Sequence, residues 1–263
     1  MSSLSRSILS IICLLAFVLT GCVQTQPTGS KRVVNKQKAV ESYITLGMAY
    51  LQQGSRDAAR RNFEKALEIN RRSHEGHNGM GLYYQLTGEI ELAEESFKRA
   101  LREESNYTPA RVNYGAFLYG RQRYQEAYDS FEQAARDLTY DRRALVLAYV
   151  GQTALKLDNK VRAKSAFEHS LNVDNRLPLP MLELAQISFD EQDYAAAKQY
   201  IDSYATVSKA SPKSLWLGIR IERIFGNKDK EASYALALRN LHPYSKEYLE
   251  YKALLGKKVN KNE

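Results

Sequence analysis

The pattern of apolar and small positions along this chain repeats every 34 residues. Gly47, Gly81 and Gly115 share that interval, and so do Phe63, Phe97 and Phe131. Ala59, Ala93 and Ala127 keep it, and Ala66, Ala100 and Ala134 follow. Four classes of position holding one period over three copies exclude coincidence. Each copy predicts two antiparallel helices of about three turns. Small residues stand where the helices cross, and large rings fill the space between one hairpin and the next. One such hairpin cannot bury its apolar face, so the copies must stack.

The period and the order of residues within it match the tetratricopeptide repeat, abbreviated TPR. The first copy supplies Tyr43, Leu46-Gly47, Tyr50, Ala59 and Phe63; the second supplies His77, Met80-Gly81, Tyr84, Ala93 and Phe97. The predicted copies run Val40–Ser73, His74–Tyr107 and Thr108–Asp141, then Ala144–Leu177 and Pro178–Ser211. Arg142 and Arg143 lengthen the loop before the fourth. Gly54 and Gly88 mark turns, and Pro109 sits in a first helical turn, where its missing N–H costs nothing. A sixth, degenerate copy spans about Pro212–Ser245, its register open by one residue. Tyr244–Leu255 is expected as a capping helix and Gly256–Glu263 as a frayed tail. The predicted fold class is therefore all-α, a right-handed superhelical solenoid of about six helix-turn-helix repeats with a C-terminal cap.

Ahead of the array the pattern changes. Ile8–Leu19 is an unbroken apolar run of 12 residues behind Arg6. A bilayer span needs about 20 residues, so this run has the length of a signal-peptide core. It ends in Leu19-Thr20-Gly21-Cys22, which resembles the bacterial lipoprotein box. In that family the cysteine is acylated and becomes the first residue of the mature chain. An ordinary signal peptide that happens to contain a cysteine is the plainer alternative. Cysteine usage fits acylation, because Cys13 would leave with the signal and Cys22 would carry lipid. Each buried CH₂ contributes about 0.8 kcal/mol, so several chains anchor firmly. By the sorting rule of well-studied lipoproteins, Val23 after the cysteine implies the outer membrane. Residues 22–38, polar and lacking a helical period, are expected to form a lipidated flexible tether.

The net charge of +8 invites a nucleic-acid reading, but its distribution removes it. The surplus lies at Arg6, in Lys31, Arg32, Lys36 and Lys38, and in the residues from Lys252 onward, which leaves 39–251 neutral. Basic ends beside an acylated terminus could meet anionic head groups, or could serve only as solvated ends.

No catalytic constellation is visible, and an enzyme is not expected. His74 and His77 are three apart, but Glu75-Gly76 between them does not make HExxH and no further ligand is suitably spaced. Gly79-Met80-Gly81 lacks both a preceding strand and a third glycine, so it is no nucleotide loop. No cofactor or metal is implied beyond the covalent lipid on Cys22.

What remains is a surface. The first helices of such arrays line a concave groove. Here the lining would be Ile44, Met48, Leu51, Asn78, Leu82, Gln85, Val112, Ala116 and Tyr119, then Gln152, Leu155, Leu182, Gln186 and Phe189. Packing inside the array is the alternative for any one of them. The set is apolar with amides and lacks the Lys/Arg cluster of a clamp for a peptide carboxylate. It suits an extended or helical segment presenting apolar side chains.

Two stretches carry a more specific resemblance. One is Asn113-Tyr114-Gly115-Ala116-Phe117-Leu118-Tyr119 with Arg123-Tyr124-Gln125-Glu126-Ala127-Tyr128. The other is Ala232-Ser233-Tyr234 with Leu241-His242-Pro243-Tyr244-Ser245 and Glu247-Tyr248. Together with the lipobox and six repeats they resemble the pilotin lipoproteins of type IV pili, the PilF/PilW family. That resemblance implies a non-enzymatic outer-membrane protein, a monomer before assembly. Its partner would be the pilus secretin, which it helps to localise and multimerise, supporting twitching motility. Cys22 would be the lipid site and the groove the secretin contact. The competing expectation is an adaptor of another envelope machine, for outer-membrane protein assembly or peptidoglycan hydrolase scaffolding.

Overall fold

The computed structural model describes residues 35–259, with side chains up to Leu255. The lipobox, Cys22 and the expected tether up to residue 34 lie outside the described residues, as do positions 260–263. Thirteen helices and no strand occupy the described residues. The first hairpin pairs α1 (Lys36–Gln52) with α2 (Arg56–Ile69), and the second α3 (His74–Thr87) with α4 (Ile90–Glu103). Next come α5 (Thr108–Gly120) with α6 (Tyr124–Ala134) and α7 (Arg143–Lys156) with α8 (Lys160–Val173). The last two are α9 (Pro178–Asp190) with α10 (Tyr194–Val207) and α11 (Pro212–Ile224) with α12 (Lys228–Leu241). A final helix, α13 (Lys246–Val259), closes the array against α11.

The hairpins are set by a close approach of backbone to ring. A Cβ built on Gly47, Gly81, Gly115 or Gly151 would lie 2.4, 2.7, 2.8 or 2.6 Å from the ring of Phe63, Phe97, Phe131 or Phe167. Those distances leave no room for a Cβ unless the ring or the backbone shifts, so in these four hairpins the ring of the second helix seats directly on the backbone of the first. Phe63 is held from both sides, because a Cβ on Gly79 of the next hairpin would also come within 2.5 Å of it. In the fifth copy Ala185 and Ile201 replace the glycine and phenylalanine within one core cluster. In the sixth the sizes are exchanged, with Ile219 and Ala235 buried together. Gly218, one residue earlier, faces the Tyr234 ring, 2.9 Å from a built Cβ, and the helix bounds settle the register. Helices α11 and α12 lie 34 residues beyond α9 and α10 at both ends, so the copy starts at Pro212.

The turns inside the hairpins use left-handed backbone at one repeat position. Gly54, Gly88 and Gly226 occupy it with φ of 75, 85 and 70°. Gln122, Asp158 and Gln192 occupy it in the other three copies. Chain ends differ from expectation by a few residues. Helix α1 starts at Lys36 because Asn35 Oδ1 accepts hydrogen bonds from the Gln37 and Lys38 amides, at 3.1 and 3.3 Å. An asparagine cap of this kind ends the tether before residue 38. Helix α13 runs on to Val259, past Gly256, rather than fraying there. A helical glycine costs about 1 kcal/mol relative to alanine, which does not by itself stop a helix.

Polar pairs tie successive hairpins together. Arg123 Nη1, before α6, lies 2.7 Å from Glu94 of α4, which also accepts from the Tyr114 hydroxyl at 3.0 Å. Arg162 of α8 pairs with Glu132 of α6. Lys164 reaches Glu191 at 2.5 Å, and Lys198 of α10 pairs with the fully buried Glu222 of α11. Hydrogen bonds from Arg123, then from Lys98 and Tyr114, hold the Glu94 carboxyl far below its ordinary 4.5, at about 2.

Gly81→Ala is expected to destabilise the array by about 1–3 kcal/mol, the usual result of overpacking. Gly120→Ala, with nothing near its Cβ, should be neutral or stabilising by up to about 1 kcal/mol. Urea unfolding of both variants checks this contrast. Glu94→Gln should flatten the acid limb of stability. The depressed pKa contributes above about 4.5, and its contribution is lost as pH falls from there to about 2. The variant should therefore be less stable by roughly 1 kcal/mol at neutral pH, with the wild type converging on it near the bottom of that window in a pH series of melting curves.

Candidate functional site

First helices approach one another more closely than second helices do. Helix α3 touches α5, α7 touches α9, and α9 touches α11, whereas no comparable contact joins successive second helices among the described residues. The first helices therefore line the inner side of the curve. The junction of α5 with α7 makes no contact as extensive as these. It follows the segment lengthened by Arg142 and Arg143.

On this inner face the expected lining separates into two groups. Ile44, Met48 and Leu51 are half-buried, their inner sides resting on the cluster around Phe63 and Met80. Leu82, Val112 and Tyr119 likewise rest on the large central cluster, and Leu155 and Phe189 on the next two. Gln152 and Gln186 are half-buried, and Gln85 and Ala116 are exposed. Two expected residues are not on the open face. Asn78 is 4% exposed and accepts a 3.0 Å hydrogen bond from Asn113 Nδ2 across the α3–α5 junction. Leu182 is 9% exposed and belongs to the core between α9 and α11. Both stand one helical turn before the groove positions Leu82 and Gln186, where the next first helix packs over them.

The sixth copy adds residues that counting only five copies leaves out. Trp216, Arg220 and Arg223 stand 34 residues beyond Leu182, Gln186 and Phe189. Arg220 Nη2 donates to Gln186 Oε1 at 3.0 Å, joining the fifth and sixth copies at the groove. Arg223 is paired with Glu231 at 2.6 Å. The face thus runs from aliphatic side chains at α1 and α3 to aromatic and cationic ones at α9 and α11.

The two candidate metal ligands are engaged elsewhere. His77 Nε2 lies 3.0 Å from the Arg71 carbonyl, and burial pushes its pKa below 6.5. The ring of His74 packs edge-on against Tyr107 at 4.5 Å. Among the described residues no three His, Cys, Asp or Glu side chains converge as a metal site. A cleft of about 690 Å³ opens elsewhere, between residues Asp141–Leu145 and Leu171–Leu177, lined by a mixture of polar and apolar side chains.

The tetratricopeptide repeat family model matches residues 38–102. The type IV pilus assembly protein PilF of Pseudomonas aeruginosa is 36% identical over 245 residues, covering 93% of this chain and 97% of that one. This chain belongs to the PilF family. The solved structure of Pseudomonas aeruginosa PilF matches it with a TM-score of 0.80 at 37% identity, covering 83% of this chain and 98% of that one. PilW, described as a widely conserved type IV pilus biogenesis factor, matches with a TM-score of 0.69 at 25% identity, covering 81% and 98%. Family and fold together make this a TPR protein of type IV pilus biogenesis.

Asn78→Ala should cost about 1–2 kcal/mol, because it leaves the Asn113 amide without its acceptor at a packed junction. Gln85→Ala, on the open part of the same helix, should stay within about 0.5 kcal/mol of wild type. Parallel thermal melts of the two variants read the difference.

Proposed function

We propose that this chain is the pilotin of a type IV pilus, an outer-membrane lipoprotein that captures the pilus secretin and promotes its localisation and multimerisation. Acyl chains on Cys22 hold the array at the periplasmic face of the outer membrane. The inner face of the first helices then receives a secretin segment through its apolar side chains. Tethering raises the local concentration of the array at the membrane without any new contact. No step of this role requires bond-making chemistry, so the protein acts as a scaffold rather than an enzyme.

The observation that carries this reading is the half-buried aliphatic run Ile44, Met48, Leu51 and Leu82 on the inner face of a PilF-family solenoid. Each of these side chains is already supported from beneath by core residues, so a partner would meet a preformed surface. Preorganisation of that kind lowers the ordering cost of association. The lipobox ending at Cys22 supports the membrane part of the proposal.

The experiment follows secretin multimers in outer-membrane fractions. A deletion strain should lose them, and Cys22→Ala should leave them fewer or mislocalised. Ala116→Glu places a bulky charge on an exposed inner-face position that supports no core contact. It should reduce multimers several-fold while leaving stability within about 0.5 kcal/mol. Normal multimers in the deletion strain would overturn the proposal, and normal multimers in Ala116→Glu would remove the inner face from it.

A further inference from the structure

Arg220 is a groove cation with no carboxylate bonded to it directly: Asp190 reaches it only through Gln186, whose Nε2 donates to Asp190 Oδ1 at 2.7 Å. Its guanidinium carbon lies 4.5 Å from the Phe189 ring centroid and 5.5 Å from that of Trp216. Nη2 is taken by Gln186, Nε is buried with no partner, and Nη1 carries no bond to the protein. The neighbouring cations differ. Lys213 is held by Glu183 at 2.8 Å, Arg223 by Glu231 at 2.6 Å, and Lys198 by Glu222. Asp190 and Glu250 act on Arg220 through space, but neither forms an ion pair with it. Burial opposes its charge, so the guanidinium is a half-buried cation within cation–π distance of two rings, with Nη1 left over as a donor.

We infer that Arg220, flanked by Phe189 and Trp216, is a receptor for an acidic side chain of the partner segment that occupies the inner face. The flat guanidinium can donate to a carboxylate, and the two rings offer apolar surface to the residues beside it. A buried or half-buried site strengthens such a charge-assisted pair relative to water. An acidic side chain fits better than a chain terminus, because a terminus is usually clamped by several cations and here Arg220 stands alone. The occupant is therefore a segment that presents aliphatic side chains toward α1–α3 and an aspartate or glutamate toward α9–α11. This inference rests on the inner face being the binding surface, and adds polarity and direction to it.

The single tryptophan makes the site readable, because Trp216 lies against Arg220. The full lipidated chain in detergent is titrated with 4-methylpentanoate, and separately with 4-methylpentanamide, at constant pH and ionic strength. A saturable change in tryptophan emission with the acid and none with the amide is expected. Arg220→Gln should abolish it, and Arg220→Lys should weaken it roughly tenfold, since the ammonium cannot reproduce the flat fork. Equal responses to acid and amide, or an unchanged response in a folded Arg220→Gln, would overturn the inference. If Arg220→Gln fails to fold, the wild-type comparison of acid with amide still decides. Addition of the periplasmic region of the pilus secretin separates this inference from the pilotin reading. Displacement of the acid by the secretin supports both. Acid binding without displacement leaves the carboxylate site standing and counts against secretin capture at this face. Secretin binding that is sensitive to Ala116→Glu but indifferent to Arg220→Gln, with no acid response, sinks the carboxylate site alone.

Discussion

The contact between a phenylalanine ring and a glycine backbone governs this array. In the first four hairpins the ring of the second helix rests where the first helix has no side chain, at distances no Cβ could share. That contact fixes how far apart the two helices lie. It also fixes which side of each helix is interior, because the ring must face the glycine. The alanines on the second helices follow from the same requirement: Ala59, Ala93 and Ala127 are fully buried at the crossing. Ala185 with Ile201 and Ile219 with Ala235 show that combined volume, rather than residue identity, is what the crossing demands. A small residue opposite a large one works in either order. The sixth copy keeps its helix lengths and its turn, and its glycine–ring contact moves one residue earlier, to Gly218 against Tyr234.

With the interior assigned, the inner face is what remains of each first helix. Side chains one turn apart on that helix have different fates. The position nearer the helix start is covered by the neighbouring hairpin in the second and fifth copies, at Asn78 and Leu182. The next position stays partly open in every copy, from Met48 and Leu82 to Gln186 and Arg220. Polar bridges across junctions, such as Asn78 with Asn113 and Gln186 with Arg220, tie neighbouring first helices together. The two residues inserted before α7 lengthen one loop without breaking the stack, since α6 still packs on α7.

Most of the fold was legible because glycine and phenylalanine at fixed spacing have few physical explanations. The period names the helices, their pairing and their interior sides, and the helices observed follow it. Burial of Asn78 and Leu182 was not legible, because it depends on how tightly the next first helix leans over, and the repeat pattern carries no such angle. The turn glycines were visible at Gly54 and Gly88, but Gln122, Asp158 and Gln192 take the same left-handed backbone without advertising it. The cap at Asn35 had a signal, an asparagine just ahead of the array, obscured by the polar run around it. Arg220 was reachable by adding 34 to Gln186, and the one-residue shift of the sixth copy's glycine to Gly218 hid it.

Charge is where a sum over the chain misleads. Residues 39–251 are neutral overall, which suggests a face without electrostatic character. Yet neutrality is a total, and the carboxylates in it are not free. Glu94, Glu132, Glu183, Glu191 and Glu222 are each engaged by a cation of another hairpin or of an intervening turn. These pairs hold the stack in register, and they withdraw negative charge from the inner face. A cation that stands on that face without a carboxylate bonded to it, as Arg220 does, is therefore only partly compensated in a protein that is globally balanced. The same polar pairs that order the solenoid thus leave its face apolar at one end and cationic at the other, which gives a partner a direction in which to lie.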